Sequence, residues 1–334
     1  MTSPGRDVTG ARTSGRTFRE VLYCVATVAA IALLGYSSSD AYVLTLAGYT
    51  CAFALFALSI NVILGGIGEV PLGQCLFFGI GSYSAAIGMK HGLPFEVASL
   101  VAIVASLVAA AVIGAITLRL TGAYFSIVSW GLTGVAMVAA TNLDQITGGP
   151  LGLFGFPPIT IGPLQLSDPR IYFFASAVIL LAAILVLVAV RRSPFGAAME
   201  SIRQNRHLAR SLGVDVTGIR LKAFVLSAPF AAIAGCLCVP YSQIVTPEVF
   251  NVGNTVDGLL MVLLGGSQLI VGPIIGAVIF TLIPQVLDLD PNVRILVFSA
   301  IIILIMVFAP GGLYQLANAV YGRWGKESGA ESSR

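Results

Sequence analysis

Charge is what this sequence has least of. Asp, Glu, Lys and Arg together make up 10% of its 334 residues, where a soluble domain carries about a quarter. So few charges could not solvate the surface of a compact globule, which excludes a water-soluble domain and makes lipid the solvent for most of the chain. Histidine is nearly missing: His91 and His207 are the two, one beside an expected helix end and one in a charged stretch. No nucleophile–base pair or metal cluster can be assembled from them, so the sequence offers no catalytic residues, no metal ligands and no cofactor site, and does not read as an enzyme. The five cysteines, Cys24, Cys51, Cys75, Cys236 and Cys238, lie in apolar runs with no CxxC pair and read as small polarizable packing residues. The phosphate-binding pattern GxxxxGK[ST] is absent; the nearest string, "GRWGKES", lacks both the spacing and the hydroxyl after the lysine. A net charge of +3 implies no nucleic-acid partner.

What fills the space is apolar sequence, 57% of the chain, with a mean hydropathy of +0.94. A helix needs about 20 apolar residues to cross the hydrocarbon, since all its backbone polar groups must be satisfied internally. Runs that meet or approach this length lie at 21–38, 42–64, 72–89, 94–117, 121–141, 171–190, 221–244, 255–266, 269–287 and 293–310. The expected fold is therefore all-α: a polytopic integral membrane protein of about ten transmembrane helices with short or broken glycine-rich segments. The run at 255–266 is too short to cross straight and is expected to be extended upstream, broken or re-entrant. Residues 1–20 and 317–334 read as disordered tails flanking a membrane domain at 21–316.

Orientation follows from the basic residues. Arg6, Arg12, Arg16 and Arg19 place the N-terminus in the cytoplasm, and counting crossings puts Arg119 inside and the 142–170 loop outside. The segment 191–222 falls inside, as do Arg323 and Lys326 of the tail. Lys90 falls on the outer side in this count and is expected to snorkel to the headgroups.

The segment "RRSPFGAAMESIRQNRHLARSLGVDVTGIRLK" at 191–222 interrupts two almost uncharged runs. Phe195, Met199, Ile202, Ala209 and Leu212 recur at helical intervals, with a polar interruption near Asn205 and Arg206. Ser193 and Pro194 provide start signals and Gly213 a stop, so the spacing predicts a short amphipathic helix beside the membrane. Three roles fit it: a basic loop that fixes topology, an interfacial helix on anionic lipid, or a docking element whose apolar face enters a protein groove while its arginines meet acidic residues.

Beyond these local signals, the segment resembles the cytoplasmic loop of LivM-type permeases of branched-chain amino acid ABC transporters, which show S-P-F/W-G-R, an A-I-R core, A-x-x-L-G-I/V-D/N and K-x-x-A-F. Further blocks match in order, among them "LFFGIGSYSAA" at 76–86, "LRLTGAYFSIVSW" at 118–130, "ITGGPLGLFGFP" at 146–157, "VDGLLMVLLGG" at 256–266 and "GPIIGAVIFTLIP" at 272–284. The resemblance extends over roughly 42–316. It implies an importer subunit in the bacterial cytoplasmic (inner) membrane, paired with a second related permease, two cytoplasmic ATPase subunits and an extracytoplasmic substrate-binding protein. Gly196, Glu200, Arg203, Ala209, Leu212 and Gly213 fall on the loop pattern and would form the coupling helix, with Ile202 and Leu212 making its apolar contact with the ATPase.

Glycine-rich interruptions at 64–74 and 251–266 read either as close helix packing in lipid or as broken helices lining a polar path. Glu69, Gln74 and Asp257 are the residues that would line such a path. Where relatives read G-x-x-G-Q-x-S-L-G-H, this chain has Glu69, Pro71 and Gln74 in place of Gln, Ser and His. Two other readings stand beside the importer: an ion-coupled secondary transporter using Glu69 and Asp257, and the same ABC class carrying urea or amides.

Overall fold

The computed structural model describes residues 40–286 apart from 118, 119, 121, 157, 158, 162 and 163, together with 293, 296 and 300. The expected spans at 21–38 and 293–310, both tails and Arg119 lie wholly or almost wholly outside the described residues. Within them are eleven helices: α1 (Ala41–Ile67), α2 (Gln74–Lys90), α3 (Phe95–Thr117), α4 (Ala123–Asn142), α5 (Asp144–Thr147), α6 (Pro169–Arg192), α7 (Pro194–Gln204), α8 (Arg206–Ser211), α9 (Val216–Ser242), α10 (Val252–Gly265) and α11 (Val271–Val286). Five of these, α1, α3, α4, α6 and α9, are long and apolar enough to cross a membrane. The chain is a multi-pass membrane protein. The expectation of about ten crossings is not confirmed: two of the expected spans lie outside the described residues, and α2, α10 and α11 are shorter than the five long helices.

α1 and α9 form the centre, with α2 packed along α9 and reaching α1 through Phe78 against Phe53 and Phe56; α3 packs on the α2–α9 side, and α6 and α11 on the α1 side. Backbones approach closely between α2 and α9. A Cβ on Gly81 would collide with the Ala232 carbonyl, and one on Gly235 with the Phe78 carbonyl. Ser82 Oγ donates to the Gly235 carbonyl at 3.1 Å across the same contact. Small residues suit this seam because lipid leaves van der Waals packing and hydrogen bonds as the forces that join helices. Helix hydroxyls such as Thr50, Ser129 and Thr133 turn back onto carbonyls of their own helices, as an interior without water requires. α3 and α4 turn Val104, Val108, Val135 and Val138 outward, an apolar belt suited to acyl chains and an aggregation patch in water.

The two ends of the bundle differ. At one end, β1 (Leu153–Phe154), which follows α5, pairs antiparallel with β4 (Ile244–Val245), which follows α9. A second small ribbon joins β2 (Thr160–Ile161) and β3 (Leu164–Gln165). α6 leaves this end and runs 24 residues, about 36 Å at 1.5 Å per residue, so α7 and α8 lie at the opposite end.

α2 does not begin at either end. Its first residue, Gln74, donates through Nε2 to Ser227 Oγ at 3.2 Å, and Ser227 sits about 16 Å along α9 from its start at the α7–α8 end. The backbone N–H of Cys75 donates to Thr255 Oγ1 of α10 at 3.0 Å, and the Cys75 thiol lies 3.3 Å from the Phe250 carbonyl. α2 and α10 thus start together inside the bundle. The run expected at 255–266 is the 14-residue helix α10, which returns toward the α7–α8 end: there Arg191 Nη1 donates to the Gln268 carbonyl at 2.9 Å and Asn61 Nδ2 to the Leu269 carbonyl at 3.2 Å.

Candidate functional site

The basic segment folds as two helices rather than the one expected. Ser193 caps α7, its Oγ accepting from the Gly196 N–H, with Pro194 in the first turn. Asn205 then leaves the helical region (φ −158°) and its Oδ1 accepts from the N–H groups of His207 and Leu208 at 3.0 Å each, starting α8. An asparagine that satisfies two orphan donors in this way favours a cap over helix continuation. Gly213 ends α8 with φ +85°, a conformation glycine adopts without penalty. Asp215 caps α9 by accepting from the Gly218 N–H at 3.0 Å.

The apolar stripe of α7 faces the membrane body. Met199 and Ile202 are buried, Ile202 to 3% exposure, and the Met199 methyl lies over Gly66 in the last turn of α1. Ala209 of α8 is buried as well. The expectation that Ile202 meets a partner is therefore corrected: its stripe is already satisfied by the chain's own helices. The apolar surface left outward belongs to α8 and its end, with Leu208 57% and Leu212 75% exposed, beside exposed His207 and Arg210. Glu200 pairs with Arg203 at 2.7 Å and accepts from Gln204 at 3.1 Å. Partial burial works against its ionisation, but the hydrogen bonds from Arg203 and Gln204 and the charges of Arg203 and Arg191 outweigh that and hold its carboxyl below the usual carboxylate range. Gly196 packs against the backbone at Val190 and Arg191, fixing the corner between α6 and α7.

Glu69 lies in the link between α1 and α2, at the α7–α8 end of the bundle. Its side chain is 3% exposed and forms ion pairs with Arg206 of α8 and with Arg220 of α9, the latter at 2.9 Å. Arg220, also 3% exposed, donates in addition to the Leu120 carbonyl at 2.8 Å. Nothing local in the sequence signals this cluster, since its members stand 137 and 151 residues apart. The remaining residues expected on a path are elsewhere: Gln74 is fully buried at the internal start of α2, with its Oε1 lacking a hydrogen-bond partner, and Asp257 is half-buried on α10. The structure brings Glu69 to the basic segment.

A cleft of about 320 Å³ opens among α7, α1 and α6 beside the Met199–Gly66 contact, lined by Val62, Leu187, Gly196, Met199 and Ile270 among others, with Arg191 and Glu200 also on its wall.

The family described as "Branched-chain amino acid transport system / permease component" matches this chain over residues 42–310, a range that includes the basic segment, the Glu69 cluster and both internal helix starts. The high-affinity branched-chain amino acid transport system permease protein LivM of Salmonella typhimurium is 30% identical over 292 residues, covering 80% of this chain and 69% of that protein. LivM of Escherichia coli is 28% identical over 323 residues, covering 90% and 76%, and a probable LivM of Methanocaldococcus jannaschii is 26% identical over 196 residues, covering 54% and 56%. No solved structure matches significantly. With most of its length matched, the chain belongs to the family of permease components of branched-chain amino acid transport systems.

Proposed function

We propose that this chain is the translocating permease subunit of an ABC importer for branched-chain or related amino acids, driven by ATP hydrolysed on separate cytoplasmic subunits. It works beside a second related permease, with two ATPases docked on the cytoplasmic face and a substrate-binding protein delivering cargo outside. In this reading α7 and α8 face the cytoplasm, as do both termini, in the bacterial inner membrane.

The observation that carries the reading is the capped, body-anchored pair α7–α8, which leaves Leu208 and Leu212 exposed among basic side chains. A loop serving only to fix topology needs charge and no ordered apolar surface. An anionic lipid surface would favour an apolar face along the whole helix, but the α7 stripe is turned inward. Two apolar side chains on a rigid corner, ringed by arginine and histidine, suit a groove in a folded protein with acidic walls.

The path runs past the internal starts of α2 and α10, where Gln74 offers an unpartnered carbonyl and Asp257 a carboxylate. Glu69 is assigned elsewhere: a carboxylate engaged by two arginines is a poor ion-binding ligand, which weighs against the ion-coupled reading.

Reconstitution tests the assignment. The chain in liposomes alone should give no uptake under an imposed proton or sodium gradient. Addition of its permease partner, the ATPases and the binding protein should give ATP-dependent uptake of leucine, isoleucine or valine. Gradient-driven uptake by the chain alone would overturn it, and ATP-dependent uptake of urea or amides in place of those amino acids would reassign the cargo.

A further inference from the structure

We infer that Glu69 is a positioning residue for transport: its paired arginines clamp the docking segment to the break between α1 and α2, so that movement imposed on α8 reaches the internal start of α2. The inference rests on reading α7–α8 as the segment on which the ATPase acts.

Four pieces of backbone meet at this carboxylate. Glu69 belongs to the α1–α2 link, Arg206 opens α8, Arg220 lies in the second turn of α9, and Arg220 in turn holds the Leu120 carbonyl at the entry to α4. Glu69 and Arg220 are each 3% exposed and Arg206 24%. Withdrawing Glu69 would leave two guanidiniums facing each other without their carboxylate, Arg220 out of water, which is far more costly than keeping the group together. The cluster therefore moves as a unit.

Its placement makes it a lever. Gly68 ends α1 in the left-handed region (φ +76°), Glu69 follows at once, and α2 begins at Gln74, already deep in the bundle. A shift of Glu69 is passed along a link containing Pro71 and Gly73 to the helix start carrying Gln74. Gly73 itself packs tightly on the Ser129 backbone of α4, so that link has little slack.

Packing of α7 onto α1 through Met199 is a second connection that runs in parallel. That packing is interrupted by the cleft of about 320 Å³ beside it, and atoms facing a void lack the contacts that transmit displacement. α8, which carries Leu208, meets the link that precedes α2 through the Arg206–Glu69 pair.

The test compares wild type, Glu69→Gln, Arg206→Gln and the double variant in proteoliposomes with the full importer, reading amino-acid uptake per ATP hydrolysed. Loss of folded protein lowers uptake and hydrolysis together and leaves that ratio alone; loss of the lever lowers the ratio. Each single variant should keep the ATPases on co-purification yet fall roughly tenfold in uptake per ATP. The double variant should be no worse than either single, because all three break one unit, and Glu69→Asp should restore part of the loss. If Glu69→Gln fails to accumulate in membranes, Arg206→Gln, at a partly exposed site, decides alone. Uptake per ATP within about twofold of wild type in the accumulating single variants would overturn the clamp. Failure of the wild-type chain to retain the ATPases would instead remove the docking reading and the clamp with it.

Discussion

Replacing Leu208 and Leu212 together with alanine separates the surface proposed to meet a partner from the surface that meets the chain's own helices. Leu212 is 75% exposed and Leu208 57%. Complete burial of a leucine side chain is worth about 1.5–3 kcal/mol, so covering the exposed parts of both contributes about 2.5 kcal/mol to docking. Alanine retains a fraction of this, leaving a loss of about 2 kcal/mol, or roughly a 30-fold weaker complex. The contrasting variant is Ile202→Ala. At 3% exposure it removes packing beneath α7 and should cost about 2–5 kcal/mol of fold stability through the cavity it leaves, while removing no atom from the docking surface. Titration of ATPase subunit onto the permease in lipid nanodiscs, with thermal unfolding of the same samples, reads both quantities. The leucine pair should move the dissociation constant and leave the unfolding midpoint in place; Ile202→Ala should lower the midpoint and, measured well below it, leave the dissociation constant in place. The reverse assortment, with unchanged binding for the leucine pair, would refute the assignment of faces.

Gly81→Ala and Gly235→Ala should each destabilise the bundle by about 1–3 kcal/mol, because each added methyl meets a carbonyl of the facing helix. Gly131→Ala, whose added methyl meets nothing within 4 Å, should leave the midpoint in detergent unchanged. In a Cys24→Ser background, a maleimide should modify at most the half-buried Cys238 before unfolding and all remaining thiols after it, since Cys51, Cys75 and Cys236 are buried; mass spectrometry of the intact chain counts the adducts. The depressed carboxyl of Glu200 contributes stability that is complete above the ordinary carboxylate range and is lost as pH falls through the lower folded value. Glu200→Gln should therefore differ from wild type by a constant amount between about pH 6 and 8, and the gap should close only in acid; a gap that changed near neutrality would refute the pairing with Arg203 and Gln204.

The long spans were legible from the sequence because hydrocarbon thickness sets a minimum run of apolar residues. The expected segments 94–117 and 171–190 correspond to helices Phe95–Thr117 and Pro169–Arg192. Local chemistry was legible for the same kind of reason: a serine before a proline and a glycine after an apolar run marked the start of α7 and the end of α8 correctly. What the sequence could not supply was depth. α2 reads as an ordinary span at 72–89, yet it begins inside the bundle, because the signal for that is a hydrogen bond from Gln74 to Ser227, 153 positions away. Glu69 stands out in the sequence as an oddity, but its meaning lies in Arg206 and Arg220, which read there as part of a basic loop.

The inward turn of Ile202 follows from a general limit of periodicity. A helix lying between a membrane body and a soluble partner has two contacts to make, and one apolar stripe in the sequence does not say which contact it serves. Here the stripe of α7 goes to the body, and this has a mechanical consequence. A segment already capped at Ser193, Asn205 and Asp215, and seated through Met199 and Ile202, gives up little conformational entropy when a partner arrives. A floppy loop would order on docking and then absorb the partner's motion in its own bends. The seated corner instead offers Leu208 and Leu212 in fixed positions, so on the proposed coupling a displacement of those two side chains would pass into the Met199–Ile202 seat, the Arg206–Glu69 pair and the helices beyond.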